Sequence, residues 1–234
     1  MVATLKFSAT LSKSDPQTNP VLIVGQPKNL AKITFEQVQI KLLPRVNSET
    51  FTAAVSGLHP SPTDSCSLWL NNATVAALPV KCSRHNTPSR AHSLTKILKS
   101  CLVGGEEFIV IVCEKSDVVA LGCAVARALP LYSAKSSSSS DKRSVTVEYI
   151  VIGDEGNNGL TEHDLNCLSA MCHGIRLSAK IVDTPCAEMH SDALLNEVRR
   201  VGEELNIEPL IIQGAALNEK GFGGIYNVGK SSNT

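Results

Sequence analysis

The chain has 234 residues, of which 43% are hydrophobic and 19% charged, so it is long enough to bury one large core or two smaller ones. Its 22 lysine and arginine residues balance 22 aspartate and glutamate residues. A neutral chain has no overall charge that favours nucleic acid or an anionic membrane as partner. No apolar run reaches the roughly 18 residues of a transmembrane helix, and the first residues alternate apolar and polar side chains, unlike a signal peptide. We therefore expect a cytoplasmic protein without nucleic-acid or membrane partners.

Strand and helix patterns alternate through the first 155 residues and predict an α/β domain with a mixed sheet. Residues 108–113, FIVIVC, form a continuous apolar run, which is typical of a strand covered on both faces. Residues 66–70 and 74–80 flank Asn71-Asn72 and predict a hairpin. Further strands are predicted at residues 5–10, 21–24 and 145–152, and helices at residues 34–43, 87–101 and 117–129. Another helix is predicted from the apolar positions Phe51, Val55 and Leu58, after a polar start at residues 47–49.

The helix at residues 87–101 is predicted from Thr87 as its cap and Pro88 as its first residue. Residues 135–142 are rich in serine and predict a surface linker. The last third of the chain is predicted to hold a long helix that Thr161 opens and that ends before Pro185. A second helix at residues 191–205, a short strand at 209–212 and a short helix at 215–220 follow.

The chain contains eight cysteines, none of them in a Cys-x-x-Cys pair. In a cytoplasmic protein we expect reduced thiols that act as small hydrophobic side chains. Cys167, Cys172 and His173 are the cysteine-containing candidates for a metal site. Adjacent residues of a helix point about 100° apart, however, which argues against an ion shared by Cys172 and His173.

Two stretches combine acidic residues with histidine. Because a metal site needs ligands repeating at i, i+3 or i+4 and a distant third ligand, we interpret both stretches as helix caps and solvated charge. Cys186 lies in the second stretch and has no identifiable base that would activate it as a nucleophile. The first stretch contains Asp154, Glu155, Glu162, His163 and Asp164, and the second contains Asp183, Glu188, His190 and Asp192.

Residues 224–231, GIYNVGKS, fit the phosphate-loop pattern GxxxxGK[ST]. A phosphate loop joins a strand to a helix, and no helix pattern follows Ser231 in this sequence. We therefore expect no nucleotide hydrolysis. The glycines at positions 221, 223 and 224 are likewise predicted not to open a helix.

Two segments resemble the leucine aminopeptidase family. Residues 177–194, LSAKIVDTPCAEMHSDAL, resemble the segment that links the two domains of that family, although Ala187 and Ser191 replace an asparagine and a proline that are common there. Residues 213–230, QGAALNEKGFGGIYNVGK, resemble the approach to the family's catalytic domain. The spacing between the two segments is also that of the family.

The resemblance implies a division of the chain. We expect residues 1–160 to form the family's N-terminal α/β domain, a mixed sheet flanked by helices that resembles the macro-domain fold. Residues 161–185 are then a connecting helix, and residues 186–234 are the incomplete start of the catalytic α/β domain.

The resemblance also implies an activity. Family members are hexamers that remove N-terminal amino acids from peptides with two divalent cations, zinc or manganese. Their defining motif, N-T-D-A-E-G-R-L, does not occur in this sequence, and Lys230 belongs to the approach motif rather than to a set of metal ligands. We therefore assign no catalytic, metal-binding or cofactor-binding residue, and we expect a truncated chain that holds no metal and is inactive by itself.

A non-catalytic binding module is the alternative from another functional class. A macro-like domain would hold a nucleotide or ADP-ribose, or the chain would dock onto full-length subunits and regulate them. The sequence shows no clear ligand loop for a nucleotide, because Gly104-Gly105 and residues 153–156 read as ordinary turns.

Overall fold

A computed structural model of the chain describes residues 3–61, 63–133, 143–153 and 159–230. The chain forms two compact units, one up to Asp183 and one from Thr184 onward. The linker predicted at residues 135–142 lies outside the described residues, as does the acidic pair Asp154 and Glu155. No helix in the described ranges is long and apolar enough to cross a membrane.

The first unit is built on one mixed sheet. Its strands are β1 (Ala3–Ser8), β2 (Val21–Gly25), β3 (Asp64–Trp69), β4 (Ala73–Ala77), β5 (Glu106–Glu114) and β6 (Arg143–Ile152). The strand order is β1-β6-β5-β2-β4-β3. All neighbouring strands are parallel except β4 and β3, which are antiparallel. The predicted mixed sheet is confirmed, and its antiparallel pair is the hairpin predicted around Asn71-Asn72.

Helices cover both faces of the sheet. The first face packs against α1 (Pro27–Leu30), α2 (Phe35–Leu42) and α3 (Ser48–Ser56). The second face packs against α4 (Ala91–Cys101), α5 (Val118–Ala128) and α6 (Glu162–Asp183). β5 lies in the middle of the sheet, and its residues 108–113 are all buried. This position explains the unbroken apolar run. Successive side chains of the strand point to opposite faces of the sheet, and each face is covered by helices, so every side chain enters a core.

The start predicted for α4 is wrong. Thr87 and Pro88 belong to a turn in which the Arg90 N–H donates to the Thr87 carbonyl (3.0 Å). Arg90 then takes a left-handed conformation (φ 53°, ψ 41°), so the right-handed helix begins only at Ala91. The sequence pattern of apolar residues also does not predict α1, because a helix of four residues is too short to show helical periodicity.

The second unit contains α7 (Ser191–Leu205), α8 (Ala215–Glu219) and α9 (Gly223–Gly229) within its described residues. The strand predicted at residues 209–212 is wrong: the segment has no regular structure, because the described part of this unit offers no strand to pair with it. The prediction that the glycines at 221–224 do not open a helix is also wrong. Gly221, with a φ of 85°, makes the turn after which α9 begins.

Candidate functional site

The linker-like motif of residues 177–194 spans the end of α6 and the start of α7. Just after α6, the Pro185 carbonyl accepts hydrogen bonds from the N–H groups of Glu188 (2.9 Å) and Met189 (2.8 Å). The turn is short, because α7 already begins at Ser191. Glu188 and His190 are exposed, as solvated surface charges are.

The phosphate-loop pattern at Gly224 to Ser231 is helical over most of its described residues. The Tyr226 N–H donates to the Phe222 carbonyl (3.0 Å), and the Lys230 N–H donates to the Tyr226 carbonyl (2.9 Å). A phosphate loop works through free N–H groups that point at the phosphates. N–H groups already bonded within α9 do not provide that cradle.

The side chains that could ligate a metal do not come together. Among the described residues, no group of three or more His, Cys, Asp or Glu side chains is placed to hold an ion. His163 and Cys167 approach each other on α6 (Nε2 to Sγ 3.5 Å), but structural and catalytic zinc sites need three or four protein ligands. Cys172 is buried whereas the adjacent His173 is exposed. The described residues therefore do not fit the two divalent cations that the family resemblance implies.

Two cysteines are buried, three are half-buried and three are exposed. All eight are free thiols, and burial raises the pKa of Cys113 and of Cys172 to about 12. Because the thiolate is the nucleophile, we expect iodoacetamide at about pH 8 to alkylate the exposed Cys82, Cys167 and Cys186 and to spare the two buried thiols. Mass spectrometry of peptides labelled with and without urea checks this, and equal labelling of Cys113 in both conditions would contradict it.

A buried polar cluster lies between α2 and the first face of the sheet. Lys41 and Glu148 form an ion pair (Nζ to Oε2 2.7 Å) in which both side chains are fully buried. The Ser12 hydroxyl donates to Glu148 Oε1 (2.6 Å) and accepts from Lys41 Nζ (3.0 Å). Lys41 Nζ also lies 3.3 Å from the centroid of the Phe108 ring. Burial lowers the pKa of Lys41, and the hydrogen bond to Glu148 partly offsets that effect.

Sequence reasoning missed this cluster, although both partners carry a signal. Lys41 lies on the buried stripe of α2 between Val38 and Leu42, and Glu148 interrupts the otherwise apolar strand β6. A charge at a core position of two different elements indicates a buried pair, because an unpaired buried charge is very costly. The cluster fastens the segment after β1 to the sheet, since the Ser12 N–H also donates to Glu148 (3.0 Å).

Arg176 of α6 was also missed. Its side chain is buried, and it donates from Nε to the Leu129 carbonyl (2.7 Å) and from Nη2 to the Ala3 carbonyl (2.5 Å). These two bonds attach α6 to the end of α5 and to the first strand. They explain why α6 belongs to the first compact unit.

Comparison with protein families identifies the class of the chain. Residues 19–138 match the M17 aminopeptidase N-terminal domain 2. The chain belongs to the M17 aminopeptidase family. The resemblance to leucine aminopeptidases stated from residues 177–194 and 213–230 is thereby confirmed.

Curated M17 relatives are similar over nearly the whole chain. A human protein described as probable aminopeptidase NPEPL1 is 48% identical over 231 residues, which cover 97% of this chain and 44% of the human protein. Leucine aminopeptidase 1 of Caenorhabditis elegans is 32% identical over 224 residues, which cover 92% of this chain and 43% of that protein. The chain thus spans about half the length of the curated relatives it matches.

Solved M17 structures share the fold. The leucine aminopeptidase LAP1 of Caenorhabditis elegans matches with a TM-score of 0.84 and 26% identity, over 99% of this chain and 47% of that one. The apo leucyl aminopeptidase of Trypanosoma cruzi matches with a TM-score of 0.72 at 19% identity, which is a likeness of fold alone. The chain corresponds to the N-terminal part of a leucine aminopeptidase.

Proposed function

We propose that this chain is the N-terminal portion of a metal-dependent aminopeptidase that removes N-terminal amino acids from peptides, and that it is inactive by itself. Residues 1–160 are then the N-terminal domain, 161–185 the connecting helix and 186–234 the start of the catalytic domain. We also propose that the complete enzyme is a cytoplasmic hexamer that uses two zinc or manganese ions, as the family resemblance implies.

The observation that supports the proposal is that this chain aligns with less than half of the length of each of these curated relatives. Metal-assisted peptide hydrolysis requires several ligands that converge on the ions and lower the pKa of a bound water. The residues described in this chain offer no such group. The ligands are therefore expected in the part of the relatives that this chain does not cover.

The purified chain is expected to release no leucine above background from a peptide with an N-terminal leucine, in the presence of zinc or manganese. Full-length leucine aminopeptidase 1 of Caenorhabditis elegans is the positive control, and heat-denatured chain is the blank. Turnover that scales with chain concentration and disappears with a chelator would overturn the proposal.

Docking onto a full-length M17 subunit is the second candidate function, and exposed apolar residues of the second unit favour it. Leu210, Ile225 and Val228 are 83%, 64% and 82% exposed. Large apolar side chains that are this exposed are candidates for an interaction surface. The relatives are about twice as long as this chain and so have further residues that could cover them.

This second candidate predicts that the chain co-purifies with a tagged full-length M17 relative when the two are expressed together. A Leu210→Ser/Val228→Ser variant is expected to lose that association, while the exposed control Lys96→Ser retains it. Equal recovery of all three chains would exclude these residues as the docking surface.

A further inference from the structure

A cavity of about 750 Å³ lies in the first unit, beyond the carboxyl ends of β2 and β4. Pro27, shortly after β2, and Pro79, shortly after β4, form part of its wall, and Leu58, which follows α3, forms another part. Open α/β sheets bind ligands in crevices outside the carboxyl ends of their strands. The volume is within the range of small-molecule sites, about 300–1,000 Å³.

The charged residues that line this cavity are all of one sign. Lys81 and Arg90 are cationic, His59 adds an imidazole, and no aspartate or glutamate among the described residues lines the wall. Neither Lys81 nor Arg90 has an ion-pair partner among the residues that the structure describes. The nearby Asp64 carboxylate accepts hydrogen bonds from the main-chain N–H groups of His59 (2.8 Å) and Ser65 (2.9 Å) and does not line the cavity. The cavity is therefore suited to an anion.

Arg90 is held in place by its surroundings. Its left-handed conformation is uncommon for a residue other than glycine, and such strained residues cluster at ligand sites. The turn before it is fixed because Gln26 Nε2 donates to the Pro88 carbonyl (2.6 Å), and the helix after it begins with the Ser93 N–H donating to the Arg90 carbonyl (2.9 Å). The Arg90 Nε is buried and has no hydrogen-bond partner among the residues that the structure describes.

The Nε atom is closed to solvent, so a ligand in the cavity would meet the other donors of the Arg90 guanidinium, a side chain that lines the wall. Arginine presents a rigid fork of donors that matches phosphate oxygens, and a phosphate carries more charge than a single carboxylate. The rest of the wall is largely apolar, with Leu58, Pro79 and Val80, and suits an organic body attached to that phosphate.

We propose that this cavity binds a small phosphorylated organic molecule of nucleotide size through Arg90 and Lys81. The described lining residues all belong to the first unit, so binding can be measured without an assay of peptide hydrolysis. It also does not need a glycine-rich loop, because side chains rather than main-chain N–H groups hold the phosphate.

Isothermal titration calorimetry of the full chain tests the proposal with four probes: ADP-ribose, AMP, inorganic phosphate and adenosine. AMP or ADP-ribose is expected to bind at least about tenfold more tightly than adenosine, which lacks the phosphate. Inorganic phosphate is expected to bind more weakly than the organic phosphates but to compete with them. Binding by none of the phosphorylated probes, or equal binding of AMP and adenosine, would overturn the proposal.

Variants locate the site. Arg90→Asn removes the guanidinium while keeping a residue that tolerates the left-handed conformation, and Lys81→Gln removes the second charge. Each is expected to weaken binding at least about tenfold, as expected for the loss of a charged hydrogen bond. Arg84→Gln, an exposed arginine outside the cavity, is the matched control. If Arg90→Asn unfolds, the affinity of Lys81→Gln tests the assignment by itself. Wild-type affinity in Lys81→Gln would overturn the assignment, and so would a loss of affinity no greater than that in Arg84→Gln.

Discussion

Replacing Glu148 with glutamine is expected to lower the free energy of unfolding of the first unit by about 3–5 kcal/mol. The variant keeps an acceptor for Ser12 but leaves the Lys41 ammonium without its counterion in a site where both side chains are fully buried. The loss of one partner of a buried pair is costly because the remaining charge stays desolvated. Urea unfolding followed by the fluorescence of Trp69, the chain's single tryptophan, measures the effect in this unit.

The cost in this variant is expected to shrink as the pH rises. Burial lowers the pKa of Lys41, and the opposing effect of Glu148 is absent from Glu148→Gln. The unfolded chain then binds more protons than the folded chain between the lowered folded-state pKa and the ordinary lysine value, so stability increases with pH across that interval. The slope approaches about 1.4 kcal/mol per pH unit.

Two controls separate the buried pair from charge effects in general. The double variant Lys41→Met/Glu148→Leu removes both charges and is expected to be close to the parent in stability, since apolar replacements of buried pairs are often neutral. Lys28→Met breaks an exposed pair with Glu114 (2.6 Å) and is expected to cost no more than about 1 kcal/mol. A cost for Glu148→Gln no larger than that of Lys28→Met would contradict the account.

Replacing Arg176 with methionine is expected to lower the free energy of unfolding by about 2–4 kcal/mol. Methionine fills much of the same space, but the carbonyls of Leu129 and Ala3 lose charged donors at 2.7 and 2.5 Å. The variant therefore loosens the attachment of α6 to the rest of the unit, and protection of α6 amides from hydrogen exchange falls with it.

Lys96→Met is the matched control for Arg176→Met, because it removes an exposed cation from the middle of α4. It is expected to change stability by less than about 0.5 kcal/mol. Unchanged hydrogen exchange in α6 of Arg176→Met would show that the two carbonyl bonds do not hold this helix.

The elements that the sequence predicts well are those whose side chains report their surroundings directly. The apolar run at residues 108–113 predicts a central strand because every side chain there enters a core. The bounds of α7 follow from its stripe of leucine and valine between His190 and Asn206. The family resemblance also rests on local motifs, which a single sequence displays.

The features that could not be predicted depend on residues far apart in the chain or on backbone conformation. The partner of Lys41 lies on β6, and no local pattern joins the two. The late start of α4 follows from the left-handed Arg90, a residue type that rarely takes that conformation. The strand predicted at residues 209–212 has the right composition, but a strand also needs a neighbour to pair with. The basic cavity assembles its wall from four separate segments.

The most direct test of the proposed function is the aminopeptidase activity of a chimera. In it, the part of Caenorhabditis elegans leucine aminopeptidase 1 that this chain does not cover follows Lys230. The account predicts that the chimera releases N-terminal leucine in a metal-dependent manner while the chain alone releases none. Leucine release by the chain alone, or a folded and metal-loaded chimera without activity, would contradict it.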